Sequence, residues 1–122
     1  MYAERHSVTL TTDASGDVTG YIGPVTGKVV SITYVKTDYA DGVDFTITSE
    51  QTLQTIWTES NVNAAKTVAP RQATHSTVGV ATLYAAGGAA VLDDVVVAAE
   101  RIKFVVAAGG NAKVGAFVVV MG

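Results

Sequence analysis

Apolar and polar positions alternate with period two over most of the chain. The run Val43-Asp44-Phe45-Thr46-Ile47-Thr48 shows it most cleanly, turning Val43, Phe45 and Ile47 to a core and leaving Asp44, Thr46 and Thr48 outside. Ser7 to Thr12 alternates likewise; Asp13-Ala14-Ser15-Gly16-Asp17 is a turn cluster, and Val18 to Ile22 returns, predicting a first hairpin closed by Gly23-Pro24. Gly27 to Lys36 predicts a long strand. Leu53 to Thr58 predicts another, in which Ile56 breaks alternation beside Trp57 and marks a bulge or an edge. A further strand opens at Val91-Leu92 and resumes at Val95-Val96-Val97 after Asp93-Asp94.

The last quarter, Glu100 to Met121, reads as one long hairpin around Gly109-Gly110-Asn111, with Ile102, Phe104 and Val106 going out and Val114, Ala116, Val118 and Val120 coming back. Val105, Ala107, Phe117 and Val119 make the opposite faces apolar too, so both faces call for cover. Turn signals every 8–12 residues, and no helix longer than a turn or two, predict an antiparallel β-sandwich or flattened barrel, jelly-roll-like, of eight or nine strands in one domain spanning 1–122. The rhythm fails between about 61 and 90. That Ala-, Thr- and Gly-rich excursion offers at best one short strand, near Val78–Tyr84, and excursions of this length are usually functional.

Composition agrees with the class: 21 valines and 16 threonines stand against 4 leucines, and β-branched side chains favour strands. Only 16% of residues are charged, against about 25% in an average domain. Such a thin polar coat points to surface buried against other subunits. The net charge of −3 is scattered, without the basic, aromatic-laced patch that nucleic acid requires. With no cysteine, neither a disulfide nor a thiolate site can form. The start lacks a signal-peptide pattern and no stretch nears the ~20 apolar residues of a membrane span, so a chain kept soluble, with no membrane partner, is expected.

Candidate chemistry is sparse. Asp38, Asp41 and Asp44 surround a Gly turn and could hold a hard cation, but their spacing is not that of an EF-hand and they read as solvated turn acids. Asp93 and Asp94 point to opposite faces of a strand. His6-Ser7 and His75-Ser76 lack a third orienting group, so no enzyme, metal or cofactor is expected. Trp57 and tyrosines 2, 21, 34, 39 and 84 could form a sugar-stacking platform, yet their spread over several strands fits core and rim positions better. Pro70 cannot donate to a ladder and keeps Ala69 extended, so Val68–Thr77 is expected to be an intermolecular arm, with Pro70, Arg71, Gln72 and His75 as partner contacts. Phe117, Val118 and Val120, on an apolar strand running almost to the C-terminus, are expected at a subunit interface.

Three stretches, GKVVSITYVKTDYADGVDFTITSE, VAPRQATH and AAERIKFVVAAGGNAKVGAFVVV, together resemble small all-β virion proteins of tailed bacteriophages. The resemblance spans most of the chain in pattern and order, without a catalytic signature. Capsid cement or decoration proteins are closest in size. The resemblance implies a homo-oligomer, often a trimer, bound to the major capsid protein on the outside of the head after synthesis in the bacterial cytoplasm. A tail or head-completion component, and a carbohydrate- or receptor-binding module, are the alternatives.

Overall fold

The structure, a computed structural model, describes residues 2–122. Nine strands form: β1 (Glu4–Thr11), β2 (Val18–Lys36), β3 (Val43–Ser49), β4 (Thr55–Val62), β5 (Lys66–Val68), β6 (Arg71–Ala73), β7 (Leu92–Asp94), β8 (Val96–Ala107) and β9 (Val114–Met121). The fold is all-β and antiparallel, as the alternation predicts, and no helix is present among the described residues. One sheet, in the order β1-β9-β2-β8-β3-β4 with β5 also on β2, curls over itself into a sandwich.

The curl is made by β2. Its first half, Val18–Lys28, pairs with β8, and its second half, Val29–Lys36, pairs with β9 on one side and β5 on the other. Register shifts between Ile22 and Val25, and between Val25 and Gly27, let the strand fold over and change layer. Gly27 has φ +132, and a Cβ there would lie 2.8 Å from the Gly122 carbonyl oxygen, so the fold-over requires glycine. The front layer is therefore β1-β9-β2-β5 and the back layer β2-β8-β3-β4.

This corrects the two hairpins expected from sequence. β8 and β9 do not pair: β8 lies between β2 and β3 at the back, β9 between β1 and β2 at the front. The loops Thr12–Asp17, Thr37–Gly42 and Ala108–Lys113 are each six residues long. That length suffices to cross the ~10 Å between layers, so each is an arch. The arches interlock at one end of the sandwich through Gly109 N to Gly16 O (2.9 Å), Ala40 N to Gly109 O (3.0 Å) and Thr12 N to Lys113 O (2.9 Å). Only β3 and β4 form a sequential hairpin within the two layers, and its register shift between Ile47 and Thr48 makes Ile56 a bulge, as its broken alternation indicates.

Between the layers the aromatic rings stack into a column. Phe117 at the front lies 5.1 Å from Phe104 and 5.2 Å from Phe45 at the back, and Tyr34 lies 5.3 Å from Phe45. Phe117 is fully buried, as are Phe104 and Val119. Each such side chain contributes roughly 1.5–3 kcal/mol by leaving water.

Candidate interaction surfaces

The excursion is narrower and more ordered than its composition suggests. β4 runs to Val62 and β5 pairs with β2, which leaves Thr74–Val91 as an arm on a stem of β6 and β7, where Arg71 opposes Asp94 and Ala73 opposes Leu92. Beyond the stem the arm forks. Ser76 N to Val80 O (2.8 Å) and Thr82 N to Thr74 O (2.9 Å) close one small hairpin, and Tyr84 N to Ala89 O (3.0 Å) with Val91 N to Thr82 O (2.9 Å) close the other. Gly79 and Gly87, at φ +80 and +70, turn the two tips.

Residues 75–89 are all exposed, including Val78 (83%), Val80, Leu83 and Tyr84 (77%). No charged side chain occurs from Gln72 to Leu92. At the root, at the sandwich end opposite the arches, the Asp94 carboxylate receives Arg71 and Lys28, each at 3.4 Å. Gln72 donates to Asp94 O (3.0 Å) and accepts from Gln54.

This placement revises the expected contact set. Pro70 is buried within the chain, Gln72 is half-buried, and Arg71 donates to Pro70 O at 2.8 Å as well as pairing with Asp94. These three residues anchor the arm. Only His75 of the four stands on the exposed arm, and the apolar side chains at its tips are not among the expected contacts. The signal that marks them is the uncharged run itself.

The expected interface strand divides by parity. Phe117 points into the core, so it is not an interface residue. Val118 and Val120 face outward and are half-buried, but β9 is flanked by β1 and β2 and is no sheet edge. On the outer front face Val118 lies between Ser7 and Thr33, Ala116 between Thr9 and Val35, and Val120 between Arg5 and Ser31. Thr33 reaches Thr67 of β5 through a 2.8 Å hydroxyl contact. Apart from Arg5 at one corner, these rows carry no charge.

The outer back face is different. Arg101 donates two 2.5 Å hydrogen bonds to the Glu50 carboxylate and lies 4.0 Å over the Tyr21 ring. That guanidinium holds the Glu50 carboxyl below its ordinary range. At the arm's end of the sandwich the buried Glu100 carboxylate accepts from Gln51 N (2.9 Å) and Thr52 N (3.2 Å), and these backbone donors, the Gln51 bond foremost, lower its pKa. Glu59 accepts from Lys66 (2.9 Å) and from Trp57 Nε1 (3.2 Å), tying β4 to β5 across the open side; Lys66 is the main cause of its lowered pKa.

The carboxylates considered for a cation are dispersed: Asp38 accepts from Val114 N, Asp41 pairs with Lys36, and Asp44 accepts from Asn61 N at 2.9 Å. No group of three or more acidic, histidine or cysteine side chains converges among the described residues. An open depression of about 460 Å³ beside the first arch contains Asp13 and Asp17, but Asp13 already accepts from Ser15 N and Asp17 N. Tyr34, Tyr39 and Trp57 are core residues, and burial pushes the Tyr39 hydroxyl up to about 12 while it donates to Leu10 O at 2.7 Å. Of the exposed rings, Tyr21 lies on the outer back face with Arg101 over it and Tyr84 stands at an arm tip, so the aromatics make no common platform. Comparison with protein-family models, with curated proteins and with solved structures found no match.

Proposed function

We propose that this chain is a non-enzymatic structural protein of a tailed-phage virion, a cement or decoration protein that binds the major capsid protein on the outside of the head and acts there as a homo-oligomer. The observation that carries the reading is the pairing of two nearly uncharged surfaces, a sheet face and a projecting arm, with a body most of whose acidic and basic groups are engaged in internal contacts. Such a body offers area rather than reactive groups, which is what a lattice-stabilising protein needs. The resemblance of the three sequence stretches to small virion proteins supplies the assembly.

The test is the protein's copy number in purified particles, with its position in an electron cryomicroscopy map. Copies in the hundreds on the head surface are expected, because a cement covers a repeating lattice; a count of about a dozen or fewer at the neck or tail tip would move the protein to a connector or tail role.

A further inference from the structure

We propose that the subunits of this protein join by laying the arm of one copy, Thr74–Val91, on the outer front face of a second copy. The inference rests on the oligomeric part of the reading above and names its contact.

Three observations support it. First, the arm and the front face are both extensive and, Arg5 at one corner apart, without charge, on a chain with 19 charged side chains in all. An apolar, uncharged strip is desolvated at least cost against a surface that also carries no charge, since neither side then strips water from an ion without pairing it. The outer back face, with Arg101, Glu50 and Lys103, is a poor receiver by the same criterion.

Second, the arm is pre-shaped. Every hydrogen bond made by Thr74–Val91 stays inside the arm, and none of residues 75–89 is buried by its own body. The clamp of Asp94 on Arg71 and Lys28 fixes its root, so little ordering is required on contact. Third, the area suffices. The fifteen exposed residues 75–89, at the residue density of ordinary interfaces, cover about 500 Å² per partner, or about 1,000 Å² in all for each arm-to-face contact, the lower bound of a specific interface. Each subunit makes two such contacts, one with its arm and one with its face: reciprocal exchange gives a two-fold dimer, and head-to-tail addition gives a ring where the rotation closes.

The experiment uses the purified full chain. Wild type should sediment as one closed oligomer. Tyr84→Asp, at the exposed arm tip, and Thr9→Lys, exposed on the front face, should each weaken association by about tenfold or more with unchanged melting. Val118→Asp gives a second probe of the face. A mixture of Tyr84→Asp with Thr9→Lys should form a one-to-one complex that neither forms alone, because one sound arm and one sound face remain. A monomeric wild type, an oligomer indifferent to the arm variant or to both face variants, or failure of the mixture to pair would each overturn the proposal. The virion reading is tested separately: a monomer that binds phage heads through its arm would remove this contact and leave that reading, whereas an arm-linked oligomer absent from particles would do the reverse.

Discussion

The two outer faces of the sandwich cover the same core yet are made of different material. Inward positions are alike in both layers, with Val8, Ile32, Tyr34, Phe117 and Val119 at the front facing Ile22, Phe45, Ile47, Phe104 and Val106 at the back. Outward, the back carries the Arg101–Glu50 pair, Tyr21 under Arg101 and Lys103 beside one uncharged row of Thr19, Val105, Thr46 and Thr58, while the front shows rows of Ser, Thr, Val and Ala with Arg5 alone at a corner. Folding demands explain the inner pattern, and they are equal for the two layers. The outer difference is therefore not a demand of folding, and it is the feature on which the proposed arm-to-face contact rests.

The sharpest way to break the comparison is to move one residue along β9. Phe117→Asp, or its counterpart Phe104→Asp at the back, places an unpaired carboxylate in the aromatic column and should cost about 4 kcal/mol or more, enough to abolish folding of a marginally stable domain. Val118→Asp, one position on but outward, should leave a folded chain. Circular dichroism and urea titration of the three variants separate inner from outer positions directly; a cooperative urea transition of Phe117→Asp at the wild-type midpoint would contradict the assigned parity.

A smaller effect is expected at Gly115, also inward on β9. A Cβ there would lie 2.2 Å from the Tyr39 ring, which is buried and held by its hydrogen bond to Leu10 O. Gly115→Ala should thus overpack the front layer and cost about 1–3 kcal/mol in urea unfolding, whereas Ala116→Val, outward, should change stability by less than about 0.5 kcal/mol.

These contrasts also show what the sequence could disclose. Period two tells which side chains share a face, so the inward set of β3, a count of eight or nine strands and the Ile56 irregularity are legible, whereas the three-residue β5 and β6, inside the Ala- and Thr-rich excursion, are not, and the strand expected near Val78–Tyr84 does not form. It does not tell which strands pair. A six-residue loop such as Ala108–Lys113 can close a hairpin or cross between layers, and the Gly109-Gly110-Asn111 turn signal is the same in both. The apolar residues on both faces of β9 do not say which face is inward, and that ambiguity is what draws Phe117 into the expected interface set. At the arm, Arg71 and Gln72 resemble contact makers in their length and polarity and in fact clamp the root. Tyr39 is a core residue, as its amphipathic ring allows, but the glycine that makes room for that ring lies 76 positions away, beyond the reach of any local pattern.

Acid should distinguish the layers further. The carboxyls whose pKa values are held below their ordinary 4.5 are Glu50, Glu59 and Glu100, all attached to β3, β4 or β8 of the back layer. Their principal partners are Arg101, Lys66 and the Gln51 N–H respectively. Folded values below the unfolded value mean that the unfolded chain binds more protons in acid, so this stabilisation is complete above about pH 4.5 and is lost as pH falls through the lowered folded values. Hydrogen exchange below pH 4 should therefore show amides of β3 and β4 losing protection before those of β1 and β9, and Glu100→Gln should reduce the acid-dependent part of the loss. Simultaneous loss in both layers, unchanged by Glu100→Gln, would count against this assignment.

The smallest effect expected is that of salt, and it bears most directly on the front face. Raising sodium chloride from about 0.05 to about 0.5 M shortens the Debye length from roughly 14 to 4 Å, which weakens exposed ion pairs such as Lys28–Asp94 and leaves contacts between uncharged groups almost untouched. If arm and front face join subunits, the association constant should change by less than about threefold over that range, and sodium sulfate, which strengthens apolar burial, should raise it. A steep fall with salt would place the subunit contact on the charged back face, beside Arg101 and Lys103, and the contrast between the two faces would then carry the opposite meaning.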